Sequence, residues 1–177
     1  MPAVLDSRQI ARVLRRMAGE IVEKNETIED LILVGIRTRG VPMAEALAAE
    51  IGRMENVEVP IGVLDITLYR DDLSTIAPQP VVRETHLPLP VEDRILVLCD
   101  DVLFSGRTIR AALDALIDFG RPKAVQLAVL IDRVGQRELP IQADVVGREV
   151  STTLDQEVRV RFESVDGVDE VEVVDRA

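Results

Sequence analysis

The stretch from Arg94 to Thr108, RILVLCDDVLFSGRT, limits what this chain can fold into more than any other. Ile95, Leu96, Val97 and Leu98 are bulky and unalternated, the pattern of a parallel strand buried on both faces. They lead through Cys99 into the adjacent acids Asp100 and Asp101, then Val102, Leu103 and Phe104, and Ser105-Gly106-Arg107-Thr108 opens a helical pattern. In open α/β sheets the carboxyl ends of strands form the ligand crevice, and a small-residue turn into a helix offers free N–H groups to an anion. A phosphate suits that turn. The two carboxylates beside it are acceptors for hydroxyls or for a hydrated divalent cation. Phosphate next to a diol describes a ribose phosphate. The plainer alternative is an ordinary strand, turn and helix with a Ser or Thr cap.

A second apolar run, Leu31 to Ile36, delivers Arg37-Thr38-Arg39-Gly40 ahead of a helical pattern through Ala44, Leu47, Ala48 and Ile51, ending near Gly52. Arginines flanking Thr at a helix amino terminus form a second anion site, or else lie on the surface of a connecting loop. Before it, Ile10, Val13, Leu14, Met17 and Ile21 predict an amphipathic helix from Asp6 or Ser7 to about Lys24, with Arg8, Arg12, Arg15 and Arg16 on its polar side. Val63 to Tyr69 has strand character and runs into Arg70-Asp71-Asp72. Leu73 to Arg83 is a polar excursion with two prolines, the composition of a lid or loop tip, and Thr85 to Leu89 is extended again. A helix from the Ser-Gly-Arg-Thr turn to Phe119 has Gly120 as its cap, and Ala124 to Ile131 is another buried strand. A short strand near Val145-Val146, an alternating edge strand at Val158, Val160 and Phe162, and an Asp166-Gly167 hairpin turn into Val171 to Val174 complete the reading. Strands alternating with helices predict one α/β domain over residues 1–177, with a mainly parallel central sheet covered on both faces.

Composition excludes several classes. The only cysteine, Cys99, cannot form an internal disulfide, and with His86 the only histidine no Cys/His cluster can hold zinc. No run of eighteen apolar residues exists and the amino terminus is amphipathic, which predicts a soluble cytoplasmic protein that neither crosses nor binds a membrane. A formal charge of −11, from 32 acids against 21 bases, lacks the global signature of a nucleic-acid binder, although a local basic face is compatible with it.

The apolar strand, acid pair and Ser-Gly-x-Thr turn resemble the type I phosphoribosyltransferases, and GIRTRG matches that family's pyrophosphate loop, which often contains a non-proline cis peptide. LDITLYRDDLS is similar to one branch, the uracil phosphoribosyltransferases that double as regulators of pyrimidine operons. The likeness spans roughly residues 6 to 174. It implies transfer from phosphoribosyl diphosphate to uracil giving UMP, with Mg²⁺ carried on the diphosphate and met indirectly by Asp100 and Asp101. Asp100, Asp101 and Arg39 are the implied catalytic residues. Thr38, Tyr69, Arg70, Arg83, Val102, Leu103, Phe104, Ser105, Gly106, Arg107, Thr108, Arg133, Arg137 and Val158 are implied in substrate binding, and the Leu73 to Arg83 excursion becomes a flexible hood. Purine-salvage relatives carry an aspartate where Phe104 stands; Phe104 either lies beside a flat pyrimidine or fills the core. The alternative function is a UMP-sensing regulator that binds pyrimidine operon leader RNA, with a basic surface assembled across a homodimer or higher homo-oligomer. In one place the chain departs from the family, which usually reads Asp-Arg-Gly-His-Arg-Glu-Leu-Pro after the fourth strand. Here Val134-Gly135-Gln136 makes the loop one residue longer and removes the histidine.

Overall fold

A computed structural model describes residues 3–71 and 84–177. The expected hood, including Arg83, lies outside the described residues. Five parallel strands, β1 (Leu31–Ile36), β2 (Ile61–Leu64), β3 (Ile95–Leu103), β4 (Ala124–Val134) and β5 (Val145–Ser151), form a sheet in the order β2-β1-β3-β4-β5. The helices are α1 (Ser7–Lys24), α2 (Gly40–Glu55) and α3 (Arg107–Ile117). An antiparallel hairpin of β6 (Gln156–Arg161) and β7 (Glu170–Asp175) completes the fold, tied to the amino terminus by a bridge between Leu5 and Val171.

Every residue of β1 is buried, so its run needs apolar side chains at all positions rather than alternate ones. Leu31, Leu33, Val97 and Cys99 pack with α1, α2 and the hairpin, whereas Ile32, Val34, Leu96 and Leu98 pack with α3. That parity sets the site. Continued two residues further, it turns Asp100 to the α3 side and Asp101 to the α2 side of the sheet. Each fully buried Leu, Ile or Val contributes roughly 1.5–3 kcal/mol, so both layers are strongly specified.

Three elements differ from expectation. The strand expected over Val63 to Tyr69 ends at Leu64, because the Asp65 carboxylate accepts the N–H (2.9 Å) and hydroxyl (2.5 Å) of Thr67 and turns the chain into a short helical turn at Thr67–Tyr69. Beyond Ile131, β4 continues through Asp132 and Arg133, which register against Leu103 and Val150. A two-residue Asp166-Gly167 hairpin is replaced by a helical turn, Glu163–Asp166, ended by Gly167 at φ +79°.

Candidate active site

The acid pair lies inside β3, which runs to Leu103, rather than beyond its end. Asp100 is 7% exposed, and each acid's Oδ1 accepts the next backbone N–H, Asp101 to Asp100 and Val102 to Asp101, both at 2.9 Å. Burial, then the charge of Asp101, pushes the Asp100 carboxyl well above the usual carboxylate range. Cys99, one residue back, is wholly buried and its thiol is pushed up by desolvation, which makes it packing material and not a nucleophile.

Three cavities meet at this strand end. One of 300 Å³ is lined by Asp100, Asp101, Val102 and Thr108 together with Ile36, Arg37, Asp65, Ile66, Thr67 and Arg70. A second, of 630 Å³, shares Arg70 and Thr108 with the first and adds Asp71, Phe104, Ser105, Arg107 and Arg176. The third, of 280 Å³, shares Asp101 and adds Arg39 and Val158 with Arg159, Val160 and Arg161. The first and third lie along one acid pair. The second opens over the turn into α3.

That turn is shaped by Gly106, at φ +97°, where a side chain would be strained. Both carbonyls ahead of it are occupied. Ser105 O accepts the N–H groups of Glu138 (2.9 Å) and Leu139 (3.1 Å), and Phe104 O accepts Arg137 Nη1 at 2.6 Å. The Arg107 N–H is capped by Ser105 Oγ at 3.2 Å. With the Phe104 and Ser105 carbonyls occupied elsewhere, the next N–H groups of the first turn of α3 are left to an anion. Arg107, on the surface, bridges Asp71 (2.6 Å) and Glu138 (2.7 Å).

At the end of β1, the Arg37–Thr38 peptide is cis, and Arg37 donates twice to Glu84 O at 3.0 and 3.2 Å. Gly40 opens α2 against β3; a Cβ there would collide with Cys99 O. This close approach sets Arg39 beside Asp101 in the third cavity, while Thr38 lines none of the three. Arg39 forms a two-bond ion pair with Asp166, which raises the arginine's pKa and lowers the aspartate's.

Other expected residues are placed differently. Tyr69 points away and donates its hydroxyl to Asp118 after α3, so it lines none of these cavities. Leu103 is 1% exposed and belongs to the α3-side core. Arg137 does not line the cavities either: besides Phe104 O, it donates to Ile141 O (2.7 Å) and Asp132 Oδ1 (2.8 Å), bracing the loop after β4. Arg133 is 3% exposed and stacks 4.0 Å from the Phe104 ring centroid, while donating to Thr152, Gln136, Thr153 and Gln156. Its desolvation lowers the guanidinium pKa. Phe104 thus has one face under a buried cation and also lines the larger cavity. Arg37, expected in the second anion site, lines the 300 Å³ cavity, whereas Asp65, Thr67, Arg159, Arg161 and Arg176 are lining residues that the sequence did not point to. Asp65, at the end of a parallel strand, carried the same positional signal as Asp100.

The phosphoribosyl transferase domain model matches residues 2–165, so fold and site define a phosphoribosyltransferase. The chain is 55% identical over 172 residues to the bifunctional protein PyrR of Deinococcus radiodurans, covering 97% of this chain and 93% of that one. It is 56% identical over 174 residues to the bifunctional protein PyrR of Pelotomaculum thermopropionicum, covering 98% and 96%. It belongs to the PyrR family of phosphoribosyltransferases. The fold is also that of a hypoxanthine phosphoribosyltransferase from Trypanosoma cruzi (TM-score 0.75, 16% identity, 99% of this chain and 91% of that one). A Staphylococcus aureus hypoxanthine phosphoribosyltransferase is similar as well (TM-score 0.67, 16% identity, 85% and 77%).

Proposed function

We propose that this chain transfers the phosphoribosyl group of phosphoribosyl diphosphate to N1 of uracil, forming UMP. The observation that carries the reading is the meeting of an acid pair, an arginine loop and a carbonyl-free helix start at one edge of the sheet. The bond from C1 of the ribose to the diphosphate oxygen breaks, and its electron pair leaves with diphosphate. A bond from N1 to C1 forms, and the N1 proton is released. Positive charge grows on the ribose and negative charge on the leaving group, and the chain must hold both.

Asp100 and Asp101 accept from the ribose hydroxyls beneath the developing cation. The loop from Arg37 to Arg39 faces the diphosphate, and the amides of Ser105 to Thr108 anchor the 5′-phosphate. Holding the two reactants in near-attack geometry removes much of the entropic barrier. Among the described residues no cluster of three His, Cys, Asp or Glu side chains exists to hold a metal ion. The acid pair fits instead a Mg²⁺ ion that arrives on the diphosphate, whose water shell Asp100 and Asp101 would meet. Bound in that way it would offset the charge of the leaving group.

For the base, Phe104 offers a flat apolar wall in the largest of the three cavities and brings no carboxylate to a purine ring proton. Val158, beside Asp101 and Arg39, faces the same edge from the hairpin. An assay with phosphoribosyl diphosphate, Mg²⁺ and uracil beside hypoxanthine, guanine and orotate tests the reading. Turnover with uracil alone is expected; preference for any of the other three overturns it.

That the PyrR relatives are called bifunctional favours a second role: UMP-sensing binding of pyrimidine operon leader RNA in the cytoplasm, by a homodimer or higher homo-oligomer. Arg8 and Arg12 are exposed on α1 and have no hydrogen bond or ion pair among the described residues. They are available to phosphates.

A further inference from the structure

The C-terminal hairpin reaches the acid pair's neighbourhood through a side chain that the sequence marks only as part of an Asp-Gly turn. Asp166 sits in the turn between β6 and β7, and its carboxylate takes Arg39 by two bonds: Nη2 donates to Oδ1 at 2.7 Å and Nε to Oδ2 at 3.2 Å. Oδ2 also accepts the backbone N–H of Phe162 at 2.9 Å, and the Phe162 side chain is buried in the main core. The carboxylate is therefore anchored to the core rather than carried on a free surface side chain. A guanidinium has five N–H donors, and Asp166 engages two of them along the Nε–Nη2 edge. Among the described residues nothing engages Nη1, and Arg39 lines the 280 Å³ cavity with Asp101 and Val158.

We propose that Asp166 is the positioning residue for Arg39, fixing the guanidinium plane so that its Nη1–Nη2 end meets the diphosphate, and that the pair persists through turnover. The inference rests on the phosphoribosyl-transfer reading above. Bidentate pairing orders a long side chain before substrate arrives, so its rotamer entropy does not oppose binding. It also settles a competition. Arg39 and Asp101 line the same cavity and lie within each other's field, so an arginine released from Asp166 has the substrate-facing acid as an alternative partner. That pairing would withdraw Arg39 from the diphosphate and Asp101 from the ribose.

The test uses Asp166→Asn and Asp166→Ala. The KM for phosphoribosyl diphosphate and the dissociation constant of Mg²⁺–diphosphate, read by calorimetry, are expected to rise about tenfold together, the scale of one charge-assisted hydrogen bond. kcat and the KM for uracil should change less than about twofold. Asp169→Asn is the control: Asp169 accepts the Glu163 N–H in the same turn (2.8 Å) and lines none of the three cavities. An equal rise in that variant would mean that turn integrity, and not positioning, is responsible. Unchanged or tighter diphosphate binding in Asp166→Asn would make Asp166 a bystander or a competitor and overturn the proposal. Wild-type protein that bound no diphosphate would sink the transfer reading itself, an outcome distinct from wild-type binding that Asp166→Asn leaves intact. Should both variants fail to fold, the Arg39 Nε–H resonance of the wild type decides: protection from exchange with and without diphosphate supports a persistent pair, and its loss on adding diphosphate refutes it.

Discussion

A carboxylate inside a core costs stability, and Asp100 is kept there despite it. Its folded-state pKa is raised by burial and by Asp101, so the fold binds that proton more tightly than the unfolded chain does. The destabilisation is present above the raised pKa and disappears as pH falls toward the unfolded value of about 3.9. Asp100→Asn is accordingly expected to raise Tm at pH 7, with the increment shrinking as the pH is lowered into the usual carboxylate range, while turnover falls by orders of magnitude. Thermal scans beside uracil assays check it; a Tm unchanged at all pH values would show that the site solvates the carboxylate. Arg39→Ala should weaken phosphoribosyl diphosphate about tenfold to a hundredfold, as expected for roughly 1.5–3 kcal/mol of charge-assisted bonding, and leave uracil binding nearly unaffected. At this scale the sequence was legible where chemistry and position coincide, as at Asp100, Asp101 and Ser105 to Thr108. It was silent where a partner comes from a distant turn: Asp166 is 127 residues from Arg39 and reads in the sequence only as half of an Asp-Gly turn.

The strands β1 and β3 could be read because burial on both faces demands an unbroken apolar run, and Leu31–Ile36 forms over the stretch the sequence indicates. Where a side chain competes for backbone groups the pattern misleads. The Asp65–Thr67 turn interrupts an apolar stretch, and the half-buried Arg137, pairing with the buried Asp132 at 2.8 Å, lets a charged residue occupy the end of β4. Packing between elements was illegible too. Gly40 carries no signal beyond its place in GIRTRG, yet a Cβ there would meet Cys99 O and also crowd Gly35. Gly40→Ala is thus expected to push α2 off β3, costing about 1–3 kcal/mol and displacing the Arg37 to Arg39 loop. Denaturant unfolding and the KM for phosphoribosyl diphosphate measure both effects; a variant with normal stability and KM would mean that the helix start shifts without strain. Arg137 is the counterpart on the other loop, since it ties Phe104 O to Asp132 and Ile141 O.

For the molecule as a whole, charge decides how RNA binding can work. At −11 per chain, doubled in any dimer, long-range repulsion opposes a polyanion, and attraction must come from a local face. On α1, Arg8 and Arg12 are exposed, and Arg15 is 65% exposed with only a 3.9 Å approach to Glu50. Arg16 is different. It donates to the carbonyls of Val146 and Gly147 and to Glu20, so it docks α1 on β5, and reversing its charge would confuse folding with binding. The clean variant is therefore Arg12→Glu with Arg15→Glu, on the polar side of α1 and lining none of the three site cavities. It should abolish retention of a pyrimidine-operon leader transcript and leave UMP synthesis intact. In the wild type, affinity should fall with salt at a log–log slope of roughly −0.7 per phosphate contact on a single strand, so three contacts give about −2. Filter retention at two salt concentrations, with and without UMP, measures it. Tight, UMP-stimulated binding lost in the double variant makes α1 the RNA face. Binding that survives the variant places that face elsewhere, and no binding at low salt alongside uracil turnover leaves transfer as the chain's activity.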